Sequence, residues 1–184
     1  MIIRDFAERC HRGLAKFGFV LADETAIIEG HALAVQTVGP AIATVETLAR
    51  VQRLTTASSF ARYDDGKLAS VIAVIPLTLA AMPGLAAGVF DGIEPPIELI
   101  ARPGDPLVAI YGWGMAGATW RGRGAAVAGA LHIHRVLFPE LPLYGRAATP
   151  GGERALLKRI GARHVPGPGG LVVAPPWSAM QAAA

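Results

Sequence analysis

Apolar residues recur every three or four positions through the first third of the chain, then every second position or in short unbroken runs. Phe6, Cys10, Leu14 and Phe17 fall on one helical face. A second helix is expected after Asp23, a good N-cap residue, and is broken at Gly39-Pro40. A third is expected from Pro40, with Val45, Leu48 and Leu54 apolar and Glu46, Arg50 and Arg53 polar. The pattern changes around Ser58. Ser59-Phe60-Ala61-Arg62-Tyr63 reads as a strand, Asp64-Asp65-Gly66 as a turn and residues 68–77 as the returning strand, because glycine supplies the positive φ a tight hairpin needs.

Residues 82–106 are rich in Pro and Gly and read as a long connection with short ordered pieces; such loops often serve a site. Residues 107–116 read as a central strand, with Leu107, Ala109, Tyr111 and Trp113 on one face and Val108, Ile110, Gly112 and Gly114 on the other. After Arg121 a helix carries the stripe Ala126, Ala130, Ile133 and Leu137 and is closed by Pro139. A short strand follows over residues 141–147. Thr149 caps and Pro150 opens a helix that stops at Gly161. Residues 163–165 and 171–174 form a final hairpin, and residues 175–184 are expected to fray.

This order of elements is α/β (α+β) with a mixed sheet. A chain of 184 residues holds one well-buried core and is short for two. It therefore reads as a single domain over residues 1–184: a divergent helical part over 1–57, a core over 58–174 and a flexible tail over 175–184. An apolar fraction of 52% with 17% charged residues excludes a disordered chain. The net charge of +3, without a basic stripe or stacking aromatics, gives no ground for nucleic acid. Cys10 is the only cysteine, which precludes an internal disulfide and fits a reducing cytoplasm. Met1-Ile2-Ile3-Arg4-Asp5 meets charge too early for a secretory leader. Residues 68–90 carry no charge and are long enough to cross a bilayer. Pro76, Pro83, Gly84 and Gly88 break that run, however, and its β-branched start suits a buried strand, so no membrane partner is expected.

Two glycine-rich signals overlap. Gly112-Trp113-Gly114-Met115-Ala116-Gly117 is a literal G-x-G-x-x-G after a strand, which suggests a dinucleotide-binding turn. Its context is poor, because fewer than half the residues remain downstream for a doubly wound sheet. Arg121-Gly122-Arg123-Gly124-Ala125-Ala126 fits Q/R-x-x-G-x-G/A. There, unpaired N–H groups of a first helical turn and the positive end of the helix dipole can receive a diphosphate. On this reading Gly122 and Gly124 leave room for the phosphates, and Arg121 and Arg123 add charge.

Thr119-Trp120-Arg121-Gly122-Arg123-Gly124 resembles the P-E-W/Y-R-G-R/K-G run of the GNAT (general N-acetyltransferase) superfamily, with Ala118-Thr119 in place of Pro-Glu. Ala155-Leu156-Leu157-Lys158-Arg159-Ile160-Gly161-Ala162 resembles its A-x-L-Y-x-K-x-G-F segment, and the hairpin across Asp64-Asp65-Gly66 resembles its second and third strands. The likeness spans residues 58–174. It implies a mostly antiparallel twisted sheet, flanked by helices, whose splayed central strands hold an acyl-pantetheine chain. It also implies acetyl-CoA or another acyl-CoA bound through Met115, Ala116, Arg121, Gly122, Arg123, Gly124, Ala125 and Ala126. A backbone N–H near Met115 and Ala116 would then polarise the thioester carbonyl. The family's general-acid tyrosine falls at Leu157, which cannot donate a proton.

Candidate proton-transfer groups are therefore Tyr111 and Tyr144, and in the long connection Glu94 and Glu98. His132 and His134, two apart on a helix, point to different faces and read as surface or packing residues, so no metal is expected. The function expected is transfer of an acyl group, acetyl above all, from CoA to an amine on a small molecule or a protein. A non-catalytic acyl-CoA-binding or sensing module is the alternative, and a dinucleotide-binding protein through Gly112 to Gly117 the lesser one. A homodimer is left open.

Overall fold

The computed structural model describes residues 5–182. The expectation for residues 1–4, and the last two residues of the expected tail, lie outside that range. The chain runs α1 (Phe6–Ala15), β1 (Phe19–Leu21), α2 (Glu24–Val38), α3 (Val45–Thr55), β2 (Ser59–Asp64), β3 (Lys67–Leu77) and α4 (Met82–Ala86). It continues through β4 (Ala109–Gly117), α5 (Trp120–His132), β5 (Leu143–Arg146), α6 (Pro150–Arg154), β6 (Arg163–His164), β7 (Leu171–Ala174) and α7 (Trp177–Ala182). Both α5 and α6 end in π-helical turns, Ile133–Leu137 and Ala155–Ile160.

The strands form one seven-stranded open sheet in the order β1-β2-β3-β4-β5-β7-β6. Neighbours are antiparallel except β4 and β5, which are parallel and joined through α5. The protein is thus mixed α/β, with a mostly antiparallel sheet.

Local chemistry explains most boundaries. Asp23 Oδ1 accepts the N–H of Ala26 at 2.8 Å and starts α2. The hairpin closes on Asp65 and Gly66 with φ of 52° and 73°, so both central residues are left-handed and the two-residue loop matches the strand twist. Thr149 Oγ1 accepts from Gly152 N at 3.0 Å, and Gly161 takes φ 79° where α6 and its π turn stop.

The third helix departs from expectation. Pro40 lies in a turn whose carbonyl accepts from Ile42, and α3 starts at Val45, because Thr44 Oγ1 can accept the Thr47 N–H at 3.1 Å. The segment after Pro175, expected to fray, instead forms α7. It docks on the π turn after α5: the Arg135 guanidinium lies 4.2 Å from the Trp177 ring centre, and Ser178 N–H donates to Pro139 O. The uncharged run over residues 68–90 divides into β3, a 3-10 turn and α4, and no helix among the described residues is long and apolar enough to cross a membrane.

α1 and α5 cover one face of the sheet around Leu14, Phe19, Ile72, Ile110 and Ile133. His132 and His134 belong to this packing. The His132 ring meets Phe17 edge-on at 5.2 Å, and buried His134 contacts Pro175 O through Nε2 at 2.9 Å. Cys10 of α1 is fully buried in the same core, and desolvation pushes its thiol pKa up. The other face carries α2, α3 and α4 on two clusters, around Ile27 and Ala61 and around Ile75, Leu77 and Tyr111. Gln52 of α3 ties this side together. Its side-chain oxygen accepts from Ser58 N and Ser59 N at 2.9 and 2.8 Å, and its amide donates to Ala22 O.

Candidate functional site

β4 is nine residues long but pairs with β5 over only three positions, Ile110 to Leu143, Tyr111 to Tyr144 and Gly112 to Gly145. Beyond them the two strands separate. The pairing of β4 with β3 shifts register between Ala73 and Val74, leaving Trp113 as the extra residue of a β-bulge. That bulge breaks the strict alternation expected for residues 107–116: Met115 packs on the α5 side, and Trp113 joins the Tyr111 cluster on the other.

The bulge also decides which backbone groups face the gap. Ala118 N–H donates to Ala69 O at 2.9 Å, so Ala118, and two residues earlier Ala116, turn their backbone toward β3. Met115 then turns its N–H and C=O the opposite way, into the gap left by β5, whereas Gly117 lies past the cavity against the start of α5 and its carbonyl accepts from Arg123. Of the two β4 residues expected to make backbone contacts, Met115 does face the gap, whereas Ala116 is committed to β3.

α5 begins at the end of this free edge. Thr119 caps it, its hydroxyl oxygen accepting Gly122 N–H at 3.0 Å while its carbonyl accepts from Arg123. The first-turn N–H groups of Trp120 and Arg121 have no intrahelical acceptor. The two glycines differ. Gly122 is buried, and a Cβ there would run into the carbonyl oxygen of Ala69, so this glycine lets α5 press against β3 rather than making room for phosphate. Gly124 is exposed with nothing within 4 Å of a Cβ position. Arg121 lies over the exposed Trp120 ring at 5.4 Å, and Arg123 reaches back to Gly117 O at 3.5 Å. Ala125 is half-buried against the α5-side core and Ala126 is buried in it. The G-x-G-x-x-G stretch from Gly112 to Gly117 lies wholly inside β4, so no strand-to-helix turn exists there.

The gap opens into a cavity of about 220 Å³ that passes from one face of the sheet to the other. Trp113, Gly114, Met115 and Ala116 line one wall, and Gly145, Arg146, Thr149 and Leu156 the opposite wall. On the far side Ala26, Gly30, Ala34 and Val38 of α2 close it. Its lining includes three side chains able to exchange protons or carry charge: His31, Tyr144 and Arg146. Burial raises the Tyr144 phenol pKa, opposed by the positive charge of Arg163.

The other expected proton-transfer residues stand elsewhere. Glu94 accepts from Thr47 Oγ1 at 2.7 Å and from the Arg50 guanidinium, and these hydrogen bonds hold its pKa below the usual carboxylate value. It latches the long connection to α3. Glu98 sits exposed on a 3-10 turn (Ile97–Leu99). Neither lines the cavity. Tyr111 is buried against Phe90, ring centres 4.8 Å apart, and desolvation raises its pKa. Its hydroxyl faces Gly92, where a Cβ would collide with it. The Trp113 indole N–H donates to Gly92 O and fastens the same loop.

His31 and Arg146 carry no motif, and sequence reading passed them over. The signal for His31 was available as the i, i+4 series Ala22, Ala26, Gly30, Ala34 and Val38, beside which it lies on the inward face of α2. Among the described residues no cluster of His, Cys, Asp or Glu is placed to hold a metal ion. Comparison with protein-family models, with curated proteins and with solved structures finds no match to this chain.

Proposed function

We propose that the protein is an acyl-CoA-dependent N-acyltransferase of GNAT type, transferring an acyl group to an amine. The observation that carries this reading is the free edge of β4: Met115 turns its backbone groups into a cavity where β5 offers no partner, and the open first turn of α5 begins just beyond the end of that strand. An extended chain bearing amides pairs with such an edge as a further strand would. The pantetheine arm of coenzyme A has this chemistry, and its diphosphate suits the unpaired N–H groups of Trp120 and Arg121 with the Arg121 and Arg123 charges beside them. When bound, the thioester supplies an activated carbonyl. The chain contributes position and an N–H at Met115 that favours negative charge on the carbonyl oxygen. Leu157 stands at the position of the family's tyrosine, half-buried in the π turn, and Tyr144 is the phenol that the cavity wall does contain.

Acetyl-CoA is expected to raise the melting temperature in proportion to the logarithm of its concentration, since it binds the native state alone. Replacing Gly124 with Trp leaves the unliganded protein folded, because that position opens to solvent, and abolishes the shift. An unchanged shift in Gly124→Trp, or none in the parent protein, would overturn the diphosphate site. Release of free thiol in the presence of an amine separates a transferase from a module that only binds acyl-CoA.

A further inference from the structure

We infer that the acceptor is a compact apolar amine which enters uncharged, and that His31 takes the proton it loses on attack; this rests on the acyltransferase reading. The cavity does not end at the β4–β5 gap. Above Gly114, where nothing lies within 4 Å of a Cβ position, it continues to the inward face of α2. Its wall there is Ala26, Ile27, Gly30, Ala34 and Val38, with His31 as the ionisable side chain. Among the described residues no Asp or Glu lines any part of the cavity, and its other charged or titratable side chains, Arg146 and Tyr144, come from β5 on the opposite wall.

An ammonium group in such a wall has no counter-charge, and burying it unpaired is costly. A polycation such as spermidine is disfavoured further, by the same lack of carboxylates and by Arg146. A neutral amine with a hydrocarbon body meets neither penalty, and its apolar surface gains about 25 cal/mol per Å² removed from water. The volume favours a compact ligand: an apolar cavity of about 150 Å³ accepts benzene, and the whole cavity, which the amine shares with the donor in the β4–β5 gap, is about 220 Å³.

The step balances without a further reactant. The amine lone pair forms the C–N bond at the thioester carbonyl and the C–S bond breaks. The nitrogen loses one proton to the His31 imidazole, and the departing thiolate is protonated from that imidazolium through water.

The test begins with binding, read apart from turnover. n-Hexylamine is expected to raise the melting temperature of the protein, with or without acetyl-CoA, and spermidine at equal concentration is not. Ala34→Phe fills the α2 side of the cavity. It is expected to remove the hexylamine shift and raise its KM at least about tenfold, the size of a modest pocket contact, while the acetyl-CoA shift persists and certifies the fold. His31→Ala is expected to lower kcat about a hundredfold or more, as loss of a proton-transfer group does, with added imidazole restoring turnover and KM little changed.

Spermidine binding as well as hexylamine, or a His31→Ala defect that imidazole leaves untouched, would overturn the inference. So would an Ala34→Phe variant that loses octanoyl-CoA as donor yet keeps its hexylamine shift, since the space would then belong to the acyl chain. A missing acetyl-CoA shift alongside an intact hexylamine shift would strike the donor reading instead, and leave the amine pocket standing.

Discussion

The two halves of β4 share one strand and have opposite fates. From Ile110 to Gly112 the strand is paired on both sides, and the side chains of Ala109, Ile110 and Tyr111 are buried. From Trp113 to Gly117 it is paired only with β3, carries the bulge, and includes an exposed glycine. The difference lies in the partner. β5 is four residues long, and Thr149-Pro150 turns the chain into α6 soon after it. A neighbour that stops early leaves its companion with unmet backbone groups, and in a closed domain those groups are stable only where water or a ligand can reach them. One half of β4 therefore holds the fold together, and the other is available for binding.

The largest effect should come from Gly122→Val, because its Cβ would meet the Ala69 carbonyl, a backbone atom with no rotamer to yield. Its cost is expected at about 3 kcal/mol or more, read as a lower urea midpoint. In contrast Gly124→Ala, two residues on and open to solvent, should raise stability by up to about 1 kcal/mol through helix propensity. Equal effects at the two glycines would show that α5 does not press on β3.

Next in size is the paired half of the strand. Ile110→Ala is expected to cost about 2–5 kcal/mol, the range for a large buried aliphatic side chain. Met115→Ala, half-exposed beside the gap, should cost less and should weaken the acetyl-CoA shift only slightly, since Met115 is proposed to contribute its backbone. A reversed order would mean that the open half carries the core.

The smallest effect sharpens the same contrast through pH. Tyr111 and Tyr144 face each other across the paired half, and burial raises both phenol pKa values above that of an exposed tyrosine. The folded state holds these protons more tightly than the unfolded chain. Their contribution is therefore fully present below the unfolded value of about 10 and is lost as pH rises from there toward the raised folded values. Tyr111→Phe should flatten the decline in urea midpoint over that alkaline window, and an unchanged decline would assign it to other groups.

Helix starts, the hairpin and the fold class were legible because each rests on neighbours in sequence. Asp23, Thr149 and Asp65-Gly66 act within three residues of themselves. The errors share a cause as well. Pro40 is a good helix opener in isolation, but Thr44 supplies a hydroxyl cap closer to the helix and defines its start. The tail looked frayed because its anchors, Arg135 and Pro139, lie on another element. Glu94 reads as a candidate proton-transfer group of the long connection until Thr47 and Arg50 of α3 are found holding it.

The sequence by itself determined where α5 begins, that it begins with unpaired N–H groups beside two arginines, and that a glycine-rich strand precedes it, since all of this is decided over a few adjacent residues. Only the tertiary structure decided what those features face. The reach of β5, the turn of Met115 toward the gap and not Ala116, and the arrival of His31 opposite β4 depend on strand partners and helix placement distant in sequence. Backbone hydrogen bonding leaves no local trace of which edge will go without a neighbour.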